Sequence, residues 1–438
     1  MGNIPVGKVA RAMKMAQAGV KVARNHAKHI AKTSLGLSKG RDELHRENAR
    51  DLYKELGDLK GSALKMAQML SQDQNILPGA YRDQFKMAQY SAPPLSFPLV
   101  KKVIRNEMGK DPLDAFDSFE PIAAHAASIG QVHIAYKNGK KLAVKVQYPG
   151  VAESIRSDLR LAKPFASRIF NLNSAEVDHY FSEVESKMLE ETDYRLEARQ
   201  GVEASRRLSD IPNLRFPKYY QEWSTGKVLV MEYLEGRTLD RFVEGEATQF
   251  ERNRVGQSLW QVIDTMIREH QHVHADPHPG NFQVGENGEL QMLDFGCMKT
   301  IPESFFTPFF SLMLSNVHCD SNELEKKLED LELLLPQDTP AERSFYLDTY
   351  REFIMLLGRP FHEKTFDFSD REFFLAIDQL SKKIQSSDLY KGSKRGRGSR
   401  HGLYVNRTYF GLYNLLHLLG AEVNTSSDWD VVLSSKRA

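Results

Sequence analysis

His274-Ala275-Asp276-Pro277-His278-Pro279-Gly280-Asn281 is followed by a hairpin-like stretch (282–284, Gly288, 290–293) and then by Asp294-Phe295-Gly296. Pro277 and Pro279 break any helix through the first segment, so Asp276 and Asn281 are expected on a loop. Asp294 opens a second loop after a strand-like run. Two carboxylates and an amide at this spacing offer hard oxygen donors of the kind that suits Mg²⁺. A coincidental loop Asp followed by an ordinary turn is the bland alternative, and Asp-Phe-Gly alone is a weak match. The joint spacing favours a chemical role.

Asn five residues after Asp, followed by D-F-G, resembles the protein-kinase pattern H-R-D-x-x-x-x-N…D-F-G. In that pattern the first carboxylate orients or deprotonates the acceptor, while the Asn and the second carboxylate hold Mg²⁺ on the phosphates. The resemblance assigns the first role to Asp276 and the second to Asn281 and Asp294. Many protein kinases place Lys two residues after the catalytic Asp. His278 stands there instead, which points away from ordinary protein phosphorylation.

Upstream, Ala143-Val144-Lys145-Val146 resembles the kinase strand V-A-I-K, whose Lys contacts the α- and β-phosphates. On a strand Lys145 points opposite Val144 and Val146, so the apolar pair can face a core while the Lys faces a cleft. Asn138-Gly139 marks a hairpin turn between runs 132–136 and 141–147. Just before the hairpin, where kinases use glycines to bring backbone close to phosphate, the chain reads Ala123-Ala124-His125-Ala126-Ala127-Ser128-Ile129-Gly130-Gln131-Val132-His133.

This Ala-rich loop, followed by A-V-K-V-Q-Y-P-G, resembles the UbiB-type (AarF-domain) atypical kinase family. Three further motifs agree. Lys65-Met66-Ala67-Gln68 is similar to the family's K-x-G-Q helix, with Ala67 in place of Gly. Glu191-Thr192-Asp193-Tyr194 is similar to its E-x-D motif. HADPHPGNF is similar to its catalytic loop. The resemblance spans about residues 45 to 300 in five ordered motifs.

It implies ATP and Mg²⁺ as ligands, with Ala126, Ala127, Ser128 and Gly130 covering the nucleotide. It also implies Lys145 on the phosphates and Lys65 and Gln68 lying over the site. Such an extension is understood to obstruct protein substrates, which implies a small-molecule acceptor or ATP hydrolysis. The family's link to isoprenoid-quinone biosynthesis and membrane lipids implies quinone-pathway proteins or lipid intermediates as partners. His125 departs from the family's Ala run.

Val177, Phe181, Val184 and Met188 form one helical stripe, and Glu191 continues it. A carboxylate on an apolar face needs a partner, because burying it alone is costly. Asp193 would point elsewhere on an unbroken helix, so the two acids should do different jobs. By resemblance to kinases a Glu here pairs with Lys145. Glu197 is the first candidate and Glu191 the second, with solvated surface acids as the alternative.

The fold expected is α+β, a two-lobed protein-kinase-like domain with a helical N-terminal extension. Its parts are a basic amphipathic helix (1–41), a helical extension (42–117), an N-lobe (118–235) and a helical C-lobe (236–438). Residues 1–41 carry nine Lys/Arg and no acid. Val9, Met13, Ala16, Val20, Ala23, Ala27 and Ile30 form one helical face. Two readings stand: a helix lying on an anionic membrane surface, or one packed on its own domain with a solvated charged face. Lys391 to His401 is expected to be a mobile basic loop.

Net charge is +1, which argues against a dedicated nucleic-acid binder. Two cysteines, Cys297 and Cys319, make no disulfide framework and point to a reducing, cytoplasmic setting, with peripheral membrane association if the basic N-terminal helix lies on a membrane surface. No run reaches the roughly 18 apolar residues of a membrane span. The runs 305–314 and 410–420 are expected as buried helices. The N-terminus carries no evident secretory signal. His270, His272, His274 and His278 suggest zinc only weakly, since no Cys lies near and the prolines interrupt the group. Two rival functions remain: a small-molecule phosphotransferase of the aminoglycoside-phosphotransferase type, and a non-enzymatic lipid-binding scaffold switched by nucleotide.

Overall fold

A computed structural model describes residues 41–59, 94–127, 129–170, 174–314, 320–392 and 396–437, with positions 13, 17, 20, 21, 24, 25, 28 and 29. Lys65, Ala67, Gln68 and Ser128 lie outside the described residues, as does most of the basic helix.

In chain order the main elements are α1 (Arg41–Leu59), α2 (Phe97–Met108), β1 (Ser118–Phe119), β2 (His125–Ala126), β3 (Gly130–Lys137) and β4 (Lys140–Gln147). Next come α3 (Val151–Phe170), α4 (Ser174–Glu191), α5 (Tyr194–Arg207), β5 (Leu214–Arg215), β6 (Val228–Glu232), β7 (Arg237–Thr238), α6 (Leu239–Glu244) and α7 (Gln249–Arg268). Then follow β8 (His272–His274), β9 (Phe282–Val284), β10 (Leu290–Met292), β11 (Met298–Thr300), α8 (Glu303–Leu314), α9 (Ser321–Asp330) and α10 (Pro340–Leu357). The chain closes with β12 (Thr365–Asp367), α11 (Arg371–Ser386), α12 (Arg400–Leu419), β13 (Glu422–Asn424) and α13 (Trp429–Arg437).

The chain divides into two compact units, residues 1–199 with 218–233, and residues 200–217 with 234–438. The first is built on a five-stranded antiparallel sheet ordered β1-β3-β4-β6, with β2 paired to β3. Asn138 and Gly139 take φ of 52° and 72° at the β3–β4 turn. These left-handed values match the twist of the hairpin strands, and Asn-Gly adopts them at low cost. The register pairs Gly130 with Gln147 and Val132 with Lys145. Leu142, Val144 and Val146 are fully buried.

On α4, Phe181, Val184, Met188 and Glu191 are all buried, so the stripe continues through the carboxylate. Asn25 is buried and donates to Asn48 Oδ1 (3.1 Å) and Asp51 Oδ2 (2.9 Å) on α1. Met13 and Val20, from the apolar face of the N-terminal segment, are exposed.

The second unit is mainly helical around small sheets. Strands β5-β10-β9-β7 form one, with β5 parallel to β10; β8 pairs antiparallel with β11, and β12 with β13. Runs 305–314 and 410–420 fall in α8 and α12, and among the described residues no helix is long and apolar enough to cross a membrane.

β5 ends at Arg215, before Pro217, which has no N–H to give a ladder. Phe216 packs on Phe295, ring centroids 5.8 Å apart. One expectation is corrected: the basic loop is pinned from residue 397 onward. Arg397 donates to Leu333 O (3.0 Å) and to Asp338 Oδ2 (2.8 Å), and its guanidinium lies 3.5 Å from the Tyr346 ring centroid.

Candidate active site

In the first unit, Lys145 sits in the middle of β4 with only 7% of its surface exposed. Its Nζ lies 2.8 Å from Glu197 Oε1 and 3.0 Å from Oε2. Glu197 is on the first turn of α5 and is 2% exposed. The pair forms because α4 stops and α5 restarts. Asp193 caps α5, its Oδ1 accepting from Arg195 N–H (3.0 Å) and Leu196 N–H (3.3 Å). So Asp193 is exposed and local, Glu191 belongs to the buried face of α4, and Glu197 is the residue that reaches the lysine.

The rest of E-T-D-Y frames the same pair. Thr192 O accepts from Gln147 Nε2 (2.9 Å), tying the helix junction to the end of β4. Tyr194 is fully buried, with its ring centroid 5.1 Å from Lys145 Nζ, a cation–π contact.

The Ala-rich loop is the β2–β3 hairpin. His125 pairs with Val132 and Ala126 with Gln131, and His125 and Ala126 are exposed. Ala127 N–H donates to Gly130 O at 2.9 Å, closing the turn. A Cβ on Gly130 would stand 2.5 Å from Val146 O and 2.7 Å from the Tyr194 hydroxyl, so the position has no room for a side chain.

Beyond it the Gln-Val-His run builds a buried chain. Leu95 N–H donates to Gln131 Oε1 (2.6 Å), Gln131 Nε2 meets His133 Nε2 (2.8 Å), and His133 Nδ1 meets Glu120 O (2.8 Å). A carbonyl only accepts, so Nδ1 carries the hydrogen and Nε2 accepts from Gln131. Burial holds the His133 imidazole below its ordinary pKa, against the raising effect of the Glu120 carbonyl.

In the second unit, Asp276 follows β8 and is buried; Asn281 ends a short 3₁₀ turn, and Asp294 follows β10. The loop is held by its own polar groups. Asn281 Nδ2 donates to Asp276 O (2.8 Å), Leu293 N–H to Asn281 O (2.9 Å) and Ala275 N–H to Cys297 O (2.9 Å). His274 is fully buried, and its Nε2 lies 2.8 Å from Asp294 O. Phe295, also fully buried, meets the His274 ring edge-on at 6.2 Å. Gly296 N–H donates to Asp294 Oδ1 (2.8 Å). His278 Nδ1 accepts from Gly280 N–H (3.0 Å), so this histidine serves the turn.

Asp276, Asn281 and Asp294 are thus brought together on adjoining loops. Mg²⁺ fits the donor set. With Nδ2 donating to Asp276 O, Oδ1 is the amide atom that can ligate a cation, and Asp294 contributes a half-buried carboxylate.

Sequence reasoning missed the support for this loop. Thr408 on α12 shares its hydroxyl between His274 O (3.1 Å) and Tyr404 O (2.8 Å). Arg407 lies beside Asp276, with Nη2 3.7 Å from Oδ1. A Cβ on Gly411 would meet Pro277 Cγ at 2.2 Å. No local pattern signals contacts across so long a separation.

A strand lysine salt-bridged to a helix glutamate, and an Asp/Asn/Asp set on loops backed by a helical bundle, define a two-lobed protein-kinase-like protein. Residues 87–328, more than half of the chain, match the ABC1 atypical kinase-like domain. The chain belongs to that family, which includes the AarF-domain and COQ8 proteins.

It is 32% identical over 272 residues to the AarF domain-containing protein kinase 1 of Xenopus tropicalis, covering 60% of this chain and 52% of that one. It is 31% identical over 330 residues to the mitochondrial atypical kinase COQ8B of Rattus norvegicus, covering 74% and 61%. With the mitochondrial atypical kinase COQ8 of Saccharomyces cerevisiae the match is 27% over 445 residues, covering 99% and 86%. The chain spans about half the length of the first curated relatives it matches. A solved Rv3197–erythromycin complex from Mycobacterium tuberculosis shares the fold, with a TM-score of 0.59 and 25% identity over 88% of this chain and 95% of that one.

Proposed function

We propose that this protein is a Mg²⁺-dependent atypical kinase or ATPase that binds ATP and serves isoprenoid-quinone biosynthesis or membrane lipid metabolism. The buried Lys145–Glu197 pair carries the reading. Taking two charges out of water is expensive, and apolar residues would fill the same volume as well or better. A lysine kept charged and fixed inside a sheet is explained by a polyanionic ligand. Lys145 would hold the α- and β-phosphates, and Ala126, Ala127, Ser128 and Gly130 would bring backbone to the nucleotide. Asn281 and Asp294 would hold Mg²⁺, which neutralises charge on the phosphates when bound. Asp276 would orient or deprotonate the acceptor. Glu191 and Asp193 would support the site through the helix junction.

The quinone assignment is supported by likeness to relatives named COQ8. Membrane association is supported by the exposed Met13 and Val20 on a segment rich in Lys and Arg. Lys65 and Gln68, outside the described residues, would take the role the family resemblance implies, over the nucleotide, favouring a small acceptor or water.

The test is Mg²⁺-dependent ATP binding and hydrolysis, with and without anionic liposomes, for wild type and Asp294→Asn. Lipid-stimulated hydrolysis lost in the variant is the expected result. Absence of nucleotide binding in every condition would overturn the proposal and leave a scaffold role ahead.

A further inference from the structure

Helix α12 touches the Asp276 loop at three places within two turns. Arg407 Nη2 stands 3.7 Å from Asp276 Oδ1, and each side chain is 9% exposed. The adjacent Thr408 hydroxyl reaches His274 O at 3.1 Å. Four residues after Arg407, Gly411 lets the helix backbone approach Pro277. An added Cβ would sit 2.2 Å from Pro277 Cγ and 3.0 Å from Pro277 O. Residues 407 and 411 share a helix face, so one face of α12 meets Asp276 and Pro277 together. At 3.7 Å the guanidinium is in ion-pair range but beyond a hydrogen bond. It biases where the carboxylate points.

We propose that Arg407 is a positioning residue, holding the Asp276 carboxylate toward the phosphate acceptor from a helix at the far end of the chain. The inference rests on the phosphotransferase reading of this site. A buried Arg–carboxylate pair of purely architectural value would also cost stability when broken, so the test must separate the two.

The experiment compares Mg²⁺–ATP turnover by wild type, Arg407→Lys, Arg407→Ala, Asp276→Asn and the Arg407→Ala/Asp276→Asn double variant in the full chain. Urea unfolding of the same set accompanies it. Arg407→Ala is expected to lower kcat by about 10²-fold, the usual consequence of a misplaced catalytic group, with KM for ATP within about twofold of wild type. Arg407→Lys should keep more activity than Arg407→Ala. Guanidinium at low millimolar concentration should restore part of the Arg407→Ala activity. The double variant should turn over no more slowly than Asp276→Asn alone.

Unchanged kcat in Arg407→Ala would overturn the proposal. So would a loss that guanidinium does not relieve and that adds fully to Asp276→Asn. If the wild type itself turns over no ATP, the phosphotransferase reading falls, and the unfolding data decide the remainder. Non-additive stabilities at 407 and 276 keep Arg407 as the group that holds Asp276; additive ones end the proposal.

Discussion

Lys145 and Glu197, 52 residues apart in sequence, form a buried ion pair with Nζ 2.8 Å from one carboxylate oxygen and 3.0 Å from the other. Its two partners come from the centre of a strand and the first turn of a helix, both nearly sealed from water. Breaking it from one side leaves an uncompensated charge. Lys145→Ala is therefore expected to destabilise the chain by about 3–5 kcal/mol and to abolish nucleotide binding. Lys145→Met combined with Glu197→Leu should recover most of the stability and none of the binding. Urea unfolding and ATP titration on the same samples check both halves. A double variant no more stable than Lys145→Ala would show that the pair is not what the single change broke.

Gly130 offers a test of the hairpin that precedes the lysine. The obstruction facing a new Cβ includes main chain, Val146 O at 2.5 Å, which cannot swing aside as a side chain can. Gly130→Ala should cost about 1–3 kcal/mol through overpacking and should weaken ATP binding by moving the turn closed by Ala127. Thermal melting and nucleotide titration measure the two effects. A variant that melts with the wild type would mean that the start of β3 relaxes freely.

Much of the first unit could be read from local patterns, for a physical reason. The Asn138-Gly139 turn, the alternation that buries Val144 and Val146, and the apolar stripe ending in Glu191 all depend on neighbours a few residues away. The expectation that Glu191 and Asp193 differ in role follows from helix geometry, and the observed helix break between them makes the difference larger. The lysine's partner was legible only as a choice between Glu197 and Glu191, because a kink of one residue rotates every later side chain.

What lay beyond reach depends on distant segments. Gln131 and His133 read as alternating polar residues on a strand, yet they form a sealed chain to Leu95 and Glu120. Arg407 and Gly411 carry no local mark, since their meaning is set by Asp276 and Pro277. Residues 200–217 join the second unit because Leu214 and Arg215 pair with β10, a contact that no pattern within the segment announces.

Arg397 shows how composition misleads about mobility. Gly, Ser and basic residues around it suggest a solvated loop, but its side chain is 7% exposed against an Asp338 side chain with no exposure. Arg397→Ala should destabilise the second unit by about 3–5 kcal/mol, since it removes the cation paired with a buried carboxylate. Arg397→Lys should recover little, because a single ammonium cannot serve Leu333 O, both Asp338 oxygens and the Tyr346 ring together. Urea unfolding of the two variants decides it; equal recovery by Lys would reduce the interaction to simple charge.

His133 makes the first unit sensitive to mild acid. Its Nε2 accepts a hydrogen from Gln131, whose amide orientation is fixed by Leu95 N–H, so a proton on Nε2 would face another N–H. Burial adds to this penalty and keeps the folded-state pKa below the ordinary 6.5. The unfolded chain therefore binds the proton first as pH falls. Stability from this group is complete above about pH 6.5 and declines as pH drops from there toward the folded-state value, at about 1.4 kcal/mol for each unit of depression. The expected outcome is a melting temperature that falls between pH 7 and pH 5.5 in wild type and a flatter profile in His133→Asn. NMR of the imidazole should find it titrating below the ordinary 6.5 in the folded protein. A His133 that titrates at or above 6.5 would show that the Leu95–Gln131–His133–Glu120 chain does not constrain the ring as its geometry requires.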